Sequence, residues 1–148
     1  MYSTQLLVKK LKLKDLRNIN SNLELAKVDF SETENIYTSN YWDGAISGII
    51  KYQNRLFWFE MIQENEDWKA GDWHRRFAIV KLSIEQTEKE FQVHEDFQRY
   101  VGTHFDGKPL KSPPKLEEGK IDEFYEKHGE YVKSKPFEDN EVIAWMEN

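Results

Sequence analysis

No cysteine occurs among the 148 residues. That absence removes disulfide scaffolds, thiolate zinc sites, iron–sulfur clusters and cysteine nucleophiles together. Proline and glycine are also sparse, at four and seven residues. The glycines (44, 48, 71, 102, 107, 119 and 129) form neither Gly-x-Gly-x-x-Gly nor a phosphate-binding loop, so the standard nucleotide signatures are missing. Gly44-Ala45-Ile46-Ser47-Gly48 sets its serine one position away from that of a nucleophile elbow, which argues against serine hydrolysis. Long apolar runs are lacking as well. Leu6, Leu7 and Val8 precede Lys9 and Lys10, whereas a secretory signal places a longer apolar core after its charges. No stretch approaches the ~20 apolar residues of a membrane helix. Cytoplasmic residence is expected, with no membrane partner.

Positive charge is in deficit, 21 Lys and Arg against 27 Asp and Glu, for a net charge of −6. It is unevenly spread: residues 1–20 are net basic and residues 117–148 net acidic. A basic N-terminus can bind nucleic acid, but a chain this acidic is repelled by a polyanion. Lysines alternating along an edge strand explain the pattern better. Nucleic acid is therefore not expected as a partner. Lysine far outnumbers arginine and asparagine is common, a composition associated with AT-rich bacterial genomes.

Aromatic residues are present in surplus. Five Trp, seven Tyr and nine Phe make up 14% of the chain although the mean hydropathy is only −0.82. Disordered chains are poor in aromatics. A length near 150 residues suits a single domain, which buries ~70% of the surface its unfolded chain exposes.

Periodicity gives an antiparallel α+β layout of about five strands and two to three helices. Leu11 and Leu13 alternate with lysines, and Leu23 to Phe30 form a second apolar run, so an N-terminal hairpin is expected around a turn at 18–22; a helix over 4–17 is the alternative. Residues 31–45 read as polar and irregular. Residues 46–52 and 55–62 flank Gln53-Asn54, a tight hairpin whose register pairs Ile50 with Phe57 and Ile49 with Trp58. Both faces are partly apolar, which places this hairpin centrally in its sheet. Residues 63–73 read as a polar loop and 75–84 as a strand. Ser83 and Gln86 form a capping box for a helix over 84–101, with Ile84, Phe91, Phe97, Tyr100 and Val101 inward and Gly102 as its stop. A long Pro/Gly loop, 105–119, is followed by an amphipathic helix over 121–132 and a short closing helix over 140–147. The helices are expected mainly on one face of the sheet.

Chemistry-bearing residues give two candidate sites. Asp72 with His74, and His104 with Asp106, have i,i+2 spacing that can place two metal ligands together. A metal needs three or four converging ligands, so these read as loop polar groups, and His94 and His128 as helix-surface or boundary residues. No metal and no cofactor is expected. Glu60 lies in an apolar strand beside Trp58, where an aromatic wall can raise a carboxyl pKa. With Asp72 and His74 it forms the weak catalytic set, in which a cleft near these residues would make a small enzyme or ligand-binding domain. The stronger pattern is Trp42, Trp68 and Trp73, each beside Asp43, Asp67 or Asp72 in segments adjoining the central hairpin. With Tyr41 these supply aromatic anchors and counter-charge for a basic protein partner.

The profile — small, acidic, cysteine-free, aromatic-rich, without a catalytic signature — is similar to that of bacterial immunity or antitoxin-like binding proteins. The expected function is a non-enzymatic protein-binding module using Tyr41, Trp42, Asp43, Trp68, Asp72 and Trp73. A structural subunit of a larger assembly is a third alternative.

Overall fold

In a computed structural model of the chain, residues 11–16, 25–41, 44–67, 72–101 and 120–147 are described, with only the backbone for 65–67, 72 and 73. The elements are α1 (Leu13–Leu16), β1 (Ala26–Lys27), β2 (Thr33–Tyr41), β3 (Ala45–Tyr52), β4 (Arg55–Asp67), β5 (Asp72–Val80), α2 (Ile84–Tyr100), α3 (Lys120–Lys133) and β6 (Val142–Glu147). One six-stranded sheet has the order β1-β6-β5-β4-β3-β2. It is antiparallel except where β1 runs parallel to β6. The chain is therefore α+β.

The central hairpin has the register its side chains dictate. Ile50 faces Phe57, Ile49 faces Trp58, Gly48 faces Phe59 and Ser47 faces Glu60. Gln53 and Asn54 both take positive φ, 50° and 62°, the backbone that lets a two-residue turn follow strand twist. Both faces of the ribbon are buried. Ile49 and Trp58 join Tyr37, Ala78, Val80, Val142, Phe137, Leu13 and Leu16 in one core cluster. Ile50, Phe57 and Phe59 join Val28, Phe77, Ile79, Ala144 and Met146 in another. α1 contributes to the first cluster and Phe91 of α2 packs against it, with α3 lying along α2.

Four segments differ from the expected pattern. Within the described residues, the N-terminal hairpin is replaced by a helical turn that buries Leu13 and Leu16. Leu13 and Lys14 donate backbone N–H groups to Asn140 and Glu138, and Ala26–Lys27 pairs with β6. Those partners lie more than a hundred residues away in sequence, beyond the reach of a local pattern. Residues 33–41 are a strand rather than irregular. β2 is an edge strand with three register shifts against β3, and bulges erase the period-two signal. The expected loop 63–73 is mostly ladder, from Gln63 opposite Arg76 to Asp67 opposite Asp72. Opposed unlike charges such as Glu64 and Arg75 stabilise it where apolar pairs are missing. Finally, 142–147 is a strand and not a helix. Val142, Ala144 and Met146 are buried and their neighbours half-buried, and six residues are too few to hold a helix without docking.

The two long helices stand close to their expected spans. Ser83 and Gln86 form the capping box, with N···O distances of 3.0 and 3.1 Å. Asn140 bonds both Gln86 and the Lys81 carbonyl, tying the start of α2 to the turn before β6. Ile84 is 78% exposed, against expectation. The inward stripe is centred on Glu90 and Phe97, and six residues before Glu90 lies about 120° round the helix. The turn at 18–22, the helix stop at Gly102 and the loop 105–119 lie outside the described residues.

Gly48 sits where β2 closes on β3. A Cβ there would collide with the Tyr37 carbonyl oxygen and would lie 2.9 Å from both Thr38 Cα and a Phe59 ring carbon. Backbone cannot yield as a side-chain tip can. Gly48→Ala is expected to lower unfolding free energy by about 2–4 kcal/mol, read by urea denaturation. A loss below ~0.5 kcal/mol would show that the β2 approach is looser than described.

Candidate functional site

Register decides which of the proposed residues can act together. β3 begins at Ala45, and Ser47 lies opposite Glu60 of β4. The β2–β3 connection and the β4–β5 connection therefore open at the same end of the sheet. β4 runs on to Asp67, so the β4–β5 ribbon extends past Ala45 by about five residues, ~17 Å. Tyr41 closes β2, while Asp72 and Trp73 open β5. Trp73 is thus a strand residue rather than a loop residue. Trp42, Asp43 and Trp68 lie outside the described residues, within the segments that join these strand ends.

A buried arginine links the start of β3 to the β4–β5 ribbon. Arg75 is 5% exposed, its Nη1 donates to the Ala45 carbonyl at 3.2 Å, and its Nε lies 2.8 Å from Glu64 Oε2. Gly44 has φ 131°, and a Cβ there would stand 3.0 Å from Arg75 Nη1, so glycine fits both the backbone and the crossing guanidinium. A guanidinium stays charged at any ordinary pH, and burial requires that charge to be matched. Glu64 and the Ala45 carbonyl do so.

Glu60, Asp72 and His74 do not share such a junction. Glu60 pairs with Ala78 and His74 with Asn65. Four residues along β5 separate the two levels by ~13 Å. Trp58 Nε1 donates to Glu60 Oε1 at 3.2 Å. His74 Nε2 lies 3.6 Å from Glu147 Oε1, and Arg76 Nε bonds the other Glu147 oxygen at 3.3 Å. Among the described residues no three His, Asp or Glu groups converge as metal ligands. His104 and Asp106 lie outside them.

A second cluster has no counterpart in the sequence pattern. Tyr37 of β2 receives three residues of α2. Its hydroxyl donates to Glu90 Oε2 at 3.1 Å, Phe91 meets its ring edge-on at 5.5 Å, and His94 stacks on it at 3.6 Å. From α3, His128 is buried against Phe97 and its Nε2–H donates to the Ser39 carbonyl at 2.9 Å. His94 and His128 are therefore packed between elements, not on a helix surface. Between α2 and α3 lies a cleft of about 250 Å³, walled by Val93, Phe97, Phe124, His128 and Tyr131 with Asp96 and Lys127 beside them.

No family model matches this chain, and neither a curated protein nor a solved structure does. Its function is read from its residues. Glu90 was hidden in the sequence because a glutamate among Glu88, Lys89 and Gln92 looks like solvated helix surface. The available signal was periodic: Glu90 lies seven residues, two helical turns, before Phe97.

Burial pushes the His128 imidazole below its ordinary 6.5, partly offset by the Ser39 carbonyl. The neutral ring is the form that fits. Its contribution to stability is complete above 6.5 and is lost as pH falls through the lowered folded value. Long-range ¹H–¹⁵N spectra should show the Nε2–H tautomer with a midpoint below 6.5. A midpoint above that value would rule out a buried neutral ring.

Proposed function

We propose that this chain is a non-enzymatic protein-binding module that engages a basic partner through the aromatic and acidic end of its sheet. The supporting observation is the register: both Trp/Asp-bearing connections leave the same end of the sheet, and Arg75 of β5 bonds the Ala45 carbonyl at the base of the first. Interface anchors are typically Trp and Tyr in a charge-complementary surround. Tyr41, Trp42, Trp68 and Trp73 with Asp43 and Asp72 supply both residue types in or beside these two connections. The small acidic profile fits an immunity or antitoxin-like role in a bacterial cytoplasm. Among the described residues no helix is long and apolar enough to cross a membrane.

The test is a paired variant, Trp42→Ala with Trp73→Ala, compared with the parent for capture of a partner from cytosolic extract of the native host. The parent should retain a protein of basic isoelectric point that elutes as salt rises from 50 to 500 mM, since exposed charges are then screened. The variant should keep its circular dichroism and lose capture at least tenfold. Unfolding of the variant would show that the tryptophans are core, and an acidic or salt-insensitive partner would reject the charge assignment.

One observation favours a second reading as a small-ligand-binding domain, though not around Glu60, Asp72 and His74. The α2–α3 cleft of about 250 Å³ exceeds the ~150 Å³ that admits benzene and falls short of ~300 Å³ for drug-sized ligands. It suits a one- or two-ring molecule. Titration with indole should give saturable amide shifts confined to α2 and α3. Shifts that do not saturate, or that spread evenly over the sheet, would remove this reading.

A further inference from the structure

We propose that Glu90 is a pH-sensitive latch: as a neutral acid it clamps α2 onto edge strand β2 through Tyr37, and its ionisation releases the α2–α3 pair from the sheet.

Among the described residues, the contacts of α2 and α3 with β2 converge on a few groups, while the start of α2 is held separately by Asn140. Glu90, Phe91 and His94 all meet the one side chain of Tyr37, and α3 reaches the same strand through His128 and the Ser39 carbonyl. Glu90 is 0% exposed and Tyr37 3%. Tyr37 hydrogen-bonds Glu90 Oε2, whereas Oε1 is buried without a hydrogen-bond partner among the described residues. With a proton on Oε1 the cost is one unpartnered hydroxyl. Without it, a carboxylate is buried with a single neutral donor, which is far worse.

Among the described residues, no arginine or lysine makes an ion pair with it. The group facing Glu90 from β2 is Tyr37, and Tyr131 faces it from α3, each with its own ionisation suppressed by burial first and by Glu90 next. On α2 the titratable neighbours are His94, stacked on Tyr37, and Lys89, whose Nζ lies 5.9 Å from the Tyr131 ring. Burial pushes the Glu90 carboxyl up to about 8, with the Tyr37 bond pulling the other way. An acid raised in the closed state holds a proton that the open state, near 4.5, releases. The latch is therefore strongest below 4.5. Between 4.5 and about 8 the opening constant rises about tenfold per pH unit, and it levels off above.

Amide hydrogen exchange at pH 5.5, 6.5 and 7.5, corrected for intrinsic rates, tests this on the parent and Glu90→Gln. Amides of α2 and α3 should be less protected than those of β4 and β5. Their protection should fall about tenfold per pH unit in the parent and stay flat in the variant. Equal protection of helices and sheet at every pH would mean that only global unfolding exposes Glu90, and would overturn the latch. The Glu90 carboxyl ¹³C shift in the parent gives a readout that needs no variant. A midpoint near 8 supports the latch; a midpoint near 4.5 means His94 or Lys89 holds the group ionised, and overturns it.

Discussion

A ribbon that is apolar on both faces can sit neither at a sheet edge nor on a wet surface, and the β3–β4 hairpin is such a ribbon. Ile49 and Trp58 fill one face, Ile50, Phe57 and Phe59 the other. Strands must flank it, and both faces must be covered. β2 and β5 do the first, and β6 and the parallel β1 extend the sheet beyond β5. The register that satisfies both faces also fixes which connections share an end, so the candidate binding region follows from the core. Gly48 sets how closely β2 can approach, because nothing larger fits between its Cα and the Tyr37 carbonyl.

Arg75, His128 and Glu90 are buried, and each meets the cost of burial differently. Arg75 cannot shed its charge and is matched by Glu64 and a backbone carbonyl. His128 gives up its proton and spends the remaining N–H on Ser39. Glu90 takes a proton up and accepts from Tyr37. The last two respond to acid and alkali in opposite directions, since acid charges His128 while alkali charges Glu90. Both lie where α2 and α3 meet β2.

The proposed binding residues lie at the ends of β2 and β5 and in the connections beside them, and the proposed latch meets β2 at Tyr37. The aromatic surplus is divided. Phe57, Phe59, Phe77 and Phe97 are core, and Tyr37 organises the helical contact. Trp58 and Trp145 use their indole N–H groups locally, on Glu60 and on the Leu25 carbonyl. Trp145 also lies between Lys27 and Arg76, at 5.1 and 5.3 Å from its ring centre.

The sequence alone determined the central hairpin, its register and turn, the two long helices, the capping box and the α+β class. Each of these is specified by residues within about twenty positions of one another, through side-chain period, turn backbone or reciprocal capping bonds. Tertiary structure alone decided the rest. The helical turn at Leu13 hydrogen-bonds a chain segment beyond residue 137, the strand at Val142 gains its pairing from β5, and bulged β2 is a strand because β3 lies beside it. The separation of Glu60 from His74, the Arg75 junction and the burial of Glu90 are likewise products of docking. A one-dimensional pattern records which faces are apolar. It does not record which distant backbone completes a ladder, or which polar side chain is closed over when two such faces meet.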